Sequence, residues 1–311
     1  MDERVQERMH INWYPGHMKK TKELLQSNLV LVDIVVEVVD SRVPLASKNP
    51  DIDKIAVNKP RIIVLNKEDL ADSRETGKWI DYYQKLGFIA VSLNANNGNG
   101  LDRLITAIDK AYGPQKEKFL AKGMINRAPR IMIVGVPNSG KSSLINKLTG
   151  RKSTQTGDRP GVTKGKQWVR VRGNLEMLDT PGILWPRFED EHVAILLAFT
   201  GAIKDDVLNV EEIGYQLLNY IKKFDHTLIA KRYGIEVDPE EETIDIMNRL
   251  AQERNFILRG REVDYHRTGQ TILNEFRAGL IGKITLESPS DYESKEAVKA
   301  PAKEEIKKEE K

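Results

Sequence analysis

The 311-residue chain contains no cysteine, which excludes disulfides and thiolate-bound metals. It also has no long apolar run. The greasiest stretch, residues 29–39, is interrupted by Asp33 and Glu37 and is too short to cross a bilayer. The N-terminus, Met1-Asp-Glu-Arg-Val-Gln-Glu-Arg8, lacks the apolar segment of a signal peptide. Nor is there a large excess of charge: 49 Lys and Arg against 46 Asp and Glu give +3, so any polyanion partner must be argued from local patches. Internal repeats, a lipidation motif and a strongly basic amphipathic helix are all missing. These absences lead us to expect a soluble, cytoplasmic protein with no membrane partner; we further expect no DNA partner and a monomer when free. What is present, 40 % hydrophobic and 31 % charged residues, suffices for a core, and the length suggests two domains or one with an appendage.

Apolar patterning divides the chain. After the turn signal Pro15-Gly16, a helix is expected from His17 to about Leu31, with Met18, Leu24, Leu25 and Leu29 inward. Trp13 and Tyr14 before it read equally well as a hydrophobic staple and as an RNA-stacking surface or lid. Three β-branched runs read as strands: Asp33–Val39, Arg61–Leu65 and Phe88–Val91. Helices are expected at Ser73–Leu86 and Leu101–Ala111, and Gly113–Pro129 reads as a basic, polar connector. Strands alternating with helices indicate a parallel sheet covered on both faces. Arg130–Val134 is a further strand, and Lys141–Leu148 a helix. Arg151–Gly165 has no period and reads as a mobile loop. Lys166–Arg172 and Leu175–Leu178 form a hairpin about Gly173-Asn174, and Glu189–Thr200 is helical. From about Asp205 the period becomes purely helical, marked by Val210, Ile213, Leu217, Leu218 and Ile221. A second helix is marked by Ile244, Ile246, Met247 and Leu250, with Asp238-Pro239 as its start signal. Ile272, Leu273, Phe276, Leu280 and Ile281 mark a third. Residues 288–311 are Lys/Glu-rich and read as a disordered tail.

One stretch carries chemistry of high specificity. Gly135-Val-Pro-Asn-Ser-Gly-Lys-Ser142 fits G-x-x-x-x-G-K-[ST] between a strand and a helix. Gly135 and Gly140 let the backbone wrap a phosphate, so that successive N–H groups can point at it, and the helix N-terminus adds positive potential. Pro137, Asn138, Ser139, Gly140, Lys141, Ser142 and Ser143 line that cradle. Lys141 reaches the β- and γ-phosphates, and Ser142 is a Mg²⁺ ligand. Asn66-Lys-Glu-Asp69 fits N-K-x-D at a strand end. The Asp69 carboxylate matches the paired N1–H and N2–H₂ donors of guanine, a pair that adenine lacks. Asn66 is suited to the N7/O6 edge and to tying the site to the phosphate loop, and the Lys67 stem to covering the ring. Ser92-Leu93-Asn94, after the next strand, is placed to give a backbone N–H to O6. Asp179-Thr-Pro-Gly182 fits D-x-x-G, with Asp179 holding Mg²⁺ through water and Gly182 bonding the γ-phosphate. Thr163 is the candidate switch threonine that completes the Mg²⁺ and γ-phosphate contacts.

The base-recognition motifs precede the phosphate loop, the reverse of the ordinary GTPase order. Together with Pro15-Gly-His-Met18, Asp40-Ser-Arg-Val-Pro44, Pro160-Gly-Val-Thr163 and the helical C-terminal part, they make the chain resemble the circularly permuted GTPases of the ribosome biogenesis GTPase A (YlqF) type, from about residue 12 to 285. Ser41 stands where the family pattern has Ala. The resemblance implies an α/β fold: a permuted P-loop GTPase domain with a mostly parallel sheet and an N-terminal extension (1–204), a small all-α RNA-binding domain (205–287) and the charged tail (288–311).

It further implies a GTP-driven assembly factor that binds the maturing large ribosomal subunit and its rRNA, hydrolyses GTP to GDP when stimulated by that particle, and then leaves. Ile183 occupies the position where Ras-like enzymes carry the water-orienting glutamine, so intrinsic hydrolysis is expected to be slow. By resemblance His17 supplies the missing help, and His192 is the competing candidate. By resemblance too, Asn138 is a K⁺ ligand beside the phosphates. From 146 to 173 there are eight Lys/Arg (147, 151, 152, 159, 164, 166, 170, 172) against Asp158, a basic surface that γ-phosphate contacts would order. The helical part is acidic in sum, yet its cations cluster at Lys222-Lys223, Lys231-Arg232, and Arg259 with Arg261. Two other classes compete with this reading. A P-loop metabolic kinase or ATPase is disfavoured by Asp69 and Gly182, and a membrane-associated signalling GTPase by the lack of an anchor.

Overall fold

A computed structural model describes residues 16–124, 127–150, 167–172, 174–179 and 190–292. The side chains of residues 16–22, 167 and 179 also lie outside that description. The central element is a six-stranded sheet. Its strands are β1 (Ile34–Asp40), β2 (Arg61–Asn66), β3 (Ile89–Leu93), β4 (Arg130–Val134), β5 (Gln167–Val171) and β6 (Leu175–Asp179), in the spatial order β3-β2-β1-β4-β6-β5. Every neighbouring pair is parallel except β5–β6, the antiparallel hairpin.

Every residue of β1 is buried, as expected of a strand covered on both faces. Ile34, Val36 and Val38 point into one core with Leu104 and Ile108 of α4 (Leu101–Ala121) and Leu144 and Leu148 of α5 (Lys141–Thr149). Val35 points the other way, toward Leu25 and Leu29 of α1 (Gly16–Leu29) and Ile52 of α2 (Pro50–Ile55). Val39 joins Trp79 and Tyr83 of α3 (Ser73–Lys85). Glu37 interrupts this apolar strand and is fully buried; it pairs with Arg61 and accepts from Asn49 N at 2.9 Å, so its charge is compensated.

The helical part consists of α6 (Glu191–Phe199), α7 (Val210–Tyr233), α8 (Thr243–Glu253) and α9 (Tyr265–Arg277). α7 kinks at Asp225, whose carboxylate accepts from Thr227 N at 3.0 Å and restarts the helix. α7 and α9 cross closely at two glycines: a Cβ on Gly214 would lie 2.3 Å from Gly269 Cα. After α9 the chain doubles back over the sheet domain. Ile284 N donates to Leu70 O at 3.1 Å, and Leu286 N to Arg42 O at 2.8 Å.

Several expectations are corrected. The supposed connector from Gly113 is helix as far as Ala121; Pro114 is exposed, the Gly113 before it has no Cβ to clash with the ring, and Tyr112 and Phe119 still face the core. α8 begins at Thr243, so Asp238-Pro239 forms a turn before it and starts no helix. Leu24, Ile244 and Leu280 are exposed, their neighbours having taken the inward positions. Residues 288–292 do not belong to a core-free tail: residues 289–292 make a helical turn that sets Tyr292 against Trp79, ring centroids 6.0 Å apart. Among the described residues no helix is long and apolar enough to cross a membrane.

Candidate nucleotide site

Because β1, β2, β3, β4 and β6 are mutually parallel, their carboxyl ends lie on one edge of the sheet. There Asp40, Asn66–Asp69, Ser92–Asn94 and Gly135–Ser142 assemble, and β6 ends at Asp179. The chain winds outward from β1 to β3 and then resumes at β4 on the other side of β1. This is a topological switch point, where open α/β sheets bind ligands.

The phosphate loop is built on two glycines that no other residue replaces. Gly135 has φ +152°, and a Cβ there would meet Val38 O at 2.3 Å. Gly140 has φ +95°, and a Cβ would meet Asn66 Nδ2 at 2.0 Å. The loop then runs into α5, whose first residues are Lys141, Ser142 and Ser143. Pro137 is half-buried and, lacking an N–H, leaves the donor work to the residues after it; Ser142 is exposed. Ser139 is buried, and among the described residues its Oγ has no hydrogen-bond partner. Lys141 Nζ donates to Val136 O at 2.6 Å, and burial pushes the ammonium down to about 8. Among the described residues the buried Ser139 hydroxyl has no partner and Lys141 no acid against it, on a loop whose two glycines pack tightly onto Val38 O and Asn66; together these fit a phosphate.

Asn66 joins this loop to the base-recognition side. Its Nδ2 donates to Ser139 O at 2.7 Å, and its Oδ1 accepts from Ala95 N at 2.9 Å. One buried amide thus holds together the phosphate loop, the N-K-x-D turn and the loop after β3. Asp69 is exposed, and its carboxylate has no partner among the described residues. Lys67 adopts φ +62°, uncommon for a side chain with a Cβ, and its Nζ pairs with Asp40 Oδ2 at 2.9 Å. Asp40 also receives Arg42 Nε at 2.9 Å and Nη2 at 2.8 Å. Burial acts to raise the Asp40 pKa, but the charges of Arg42 and Lys67 outweigh it and hold the carboxyl well below the usual carboxylate range.

Ser92 is half-buried, and its carbonyl accepts from Arg103 at 2.7 Å. Leu93 is buried, and Asn94 N donates to Asn99 O at 2.9 Å. Asn138 has φ +57° and is exposed; its Nδ2 donates to Gly201 O just after α6, which leaves Oδ1 as the accepting end of the amide. His192 is exposed in the first turn of α6, its ring 6.1 Å from that of Tyr220.

The backbone of His17 lies in α1 and that of Asp179 at the end of β6, whereas Thr163 and Gly182 lie outside the described residues. Five of the basic positions, Arg151, Lys152, Arg159, Lys164 and Lys166, lie outside them as well. Of the remaining three, Arg172 pairs with Asp102 at 3.0 Å.

Sequence reasoning did not assign the Asp40–Lys67 pair, the Arg42 contacts or Gly201. The Asp40-Ser-Arg pattern was visible, but its partners Lys67, Phe276 and Arg277 are distant in sequence, and a backbone carbonyl such as that of Gly201 has no sequence signature.

Known proteins place the chain. The family described as "50S ribosome-binding GTPase" matches residues 130–255. The Bacillus cereus protein named ribosome biogenesis GTPase A is 43% identical over 91% of this chain and 96% of its own length. The Thermotoga maritima protein of the same name is 34% identical over 90% and 95%. Among solved structures, GNP-bound YlqF from T. maritima aligns with a TM-score of 0.62 at 28% identity, covering 87% of this chain and 98% of that one. A GDP-bound YlqF structure aligns with a TM-score of 0.63 at 27% identity, over 86% and 99%. With its base-recognition strands placed ahead of the phosphate loop, the chain belongs to the ribosome biogenesis GTPase A family of circularly permuted GTPases.

Proposed function

We propose that this protein binds the maturing large ribosomal subunit and its rRNA in the GTP form, hydrolyses GTP to GDP when that particle stimulates it, and then dissociates. The observation that carries the nucleotide half of this reading is the Asn66 amide, which ties the phosphate loop to the guanine-recognition turn and leaves Asp69 open to a base. The ribosomal half rests on the relatives, whose name is ribosome biogenesis GTPase A. The place of action is the cytoplasm, and the free protein is a monomer with neither membrane nor DNA as partner.

Each residue has a role in this scheme. Asp69 accepts the two guanine donors, the Lys67 stem covers the ring, and the loop at Ser92–Asn94 closes the O6 side. The N–H groups of Asn94, Ala95, Asn96 and Asn97 all donate within the protein, so a bond to O6 exchanges one of those acceptors for the base. The N–H groups from Asn138 to Ser143 surround the phosphates, and Lys141 exchanges the Val136 carbonyl for a phosphate oxygen. Ser142, Thr163 and Asp179 hold Mg²⁺, which supplies charge neutralisation at the β- and γ-phosphates. Thr163 and Gly182 contact the γ-phosphate, and His17 orients the attacking water once the particle orders the site. With its Nδ2 held by Gly201 O, Asn138 presents Oδ1 as a K⁺ ligand.

The test is GTP turnover with and without purified precursor large subunits, in KCl and in NaCl, alongside His17→Ala. We expect stimulation by the particle, faster turnover in K⁺ and loss of stimulation in H17A. Absence of both stimulation and co-sedimentation would defeat the ribosomal reading. Equal rates in the two salts would remove K⁺, and undiminished stimulation of H17A would remove His17.

A further inference from the structure

The helical part contains seven arginines: 232, 249, 254, 259, 261, 267 and 277. Four are used internally. Arg232 pairs with Glu275 at 2.7 Å, Arg249 with Glu241, Arg254 with Glu275 at 3.8 Å, and Arg277 with Asp205 at 2.8 Å. Arg267 lies over the Phe256 ring, 4.4 Å from its centroid. Arg259 and Arg261 have neither an acid nor a ring against them among the described residues, and both sit at the tip of one short hairpin.

That hairpin joins α8 to α9. Ile257 bridges Val263, Leu258 N donates to Glu262 O at 2.8 Å, and Arg261 N donates to Leu258 O at 3.2 Å. Its base is closed by Asp264 N donating to Phe256 O at 2.9 Å. Residues 257–262 are all exposed, including Ile257 at 37% and Leu258 at 51%. Gly260, with φ +95°, makes the turn. Arg261 follows with φ +67°, a conformation that Gly or Asn fills more easily, yet its side chain makes no contact among the described residues that would offset the strain. Glu262 is the tip's acid, and among the described residues it pairs with neither arginine.

The geometry points to this hairpin as a docking finger for an RNA phosphate backbone. A guanidinium presents a planar fork that takes phosphate oxygens in pairs. Two such groups flanking one glycine are spaced along a narrow tip, with Ile257 and Leu258 beside them to pack on exposed ribose and base faces. The inference rests on the ribosomal reading above and names the part of the helical region that makes the contact.

The test uses the full-length protein. Arg259→Glu/Arg261→Glu is compared with wild type and with Lys78→Glu/Lys85→Glu, which changes net charge equally on exposed α3 positions. Two probes are titrated at several salt concentrations, with a non-hydrolysable GTP analogue bound: precursor large subunits, and rRNA stripped of protein from them. We expect the hairpin variant to bind both probes at least about tenfold more weakly. Its plot of log K against log salt should be shallower by about 1.5, the loss of two phosphate contacts. The control pair should stay within about twofold of wild type on both probes. Arg259→Lys/Arg261→Lys should keep the salt slope while losing part of the affinity. Basal GTP turnover should be unchanged in all variants, which also shows that they fold. Wild-type-like binding of the hairpin variant to both probes overturns the inference. Loss of subunit binding with unchanged binding to stripped rRNA also overturns it, because the finger would then touch a ribosomal protein. If wild type itself binds neither probe, the ribosomal reading fails, and this inference with it.

Discussion

Asp40 is a small residue with wide reach. It is 2% exposed and serves Lys67 on one side and Arg42 on the other. Arg42 in turn donates to Phe276 O at 3.2 Å and packs over the Phe276 ring, so one carboxylate links the N-K-x-D turn to the end of α9. Truncating one partner of a buried charge network leaves the others uncompensated, at a cost of about 3 kcal/mol. Asp40→Asn should therefore lose roughly that much stability in urea unfolding. It should also bind GDP about tenfold more weakly, because Lys67 loses the charged bond that holds its stem in place. Folded-state stabilisation of the ionised form places the wild-type contribution above the ordinary carboxylate pKa, and it is lost only as pH falls through the lower folded value. The difference in stability between wild type and D40N should accordingly be constant from pH 6 to 8. Unchanged GDP affinity in a folded D40N would separate Asp40 from the nucleotide site.

Among the elements, the returning segment after α9 is the least expected from the sequence. Its Glu287 is buried, accepting from Leu45 N at 2.9 Å, Ala46 N at 3.1 Å and Tyr292 OH at 2.6 Å. Trp79 Nε1 donates to its carbonyl at 3.0 Å. Burial raises the carboxyl, the three donors offset part of that, and the net result is a pKa pushed up to about 7. The fold therefore favours the protonated acid. Stabilisation is fully present below the ordinary glutamate pKa and is lost as pH rises through about 7. Wild type should lose on the order of 3 kcal/mol between pH 4.5 and 7.5 relative to Glu287→Gln, which has no such proton to release. Urea midpoints of both proteins across that range measure this, and parallel pH profiles would refute it. The same segment shows where sequence reading ends. β1, β2 and β4 were legible because runs of Ile and Val announce a strand buried on both faces, and the phosphate loop because its glycines and lysine keep a fixed spacing. The docking of 284–292 was not, because its partners Arg42, Ala46, Leu70 and Trp79 are remote in the chain and impose no local period. α4 beyond Gly113 was hidden by Pro114, which costs the helix one N–H bond, to the carbonyl of the exposed Lys110, without ending it.

At the scale of the whole molecule, a boundary at 204/205 marks a change of sequence period across which packing is continuous. Val43 and Ala46, from the loop after β1, share a core with Phe199 of α6, with Ile213 and Leu217 of α7, and with Ile272, Phe276 and Ile284. Two arginines tie the parts further. Arg42 reaches α9 from the base side. Arg277 caps Phe199 O at 3.0 Å and Ala198 O at 2.7 Å, beside the Gly201 carbonyl that Asn138 holds. Both halves of the nucleotide site are thus fastened to the end of α9. A molecule built this way should unfold as one unit, so a ligand held by the phosphate loop should stabilise the helices as much as the sheet. At a GDP concentration of 100 times Kd, linkage gives about 2.7 kcal/mol, a slowing of about 100-fold for amides that exchange only through global unfolding. Hydrogen exchange should show that same factor for the slowest amides of β1 and of α7. Slowing confined to β1, with α7 unchanged, would mean that the helices open independently of the nucleotide site and that the Arg42 and Arg277 contacts do not couple them.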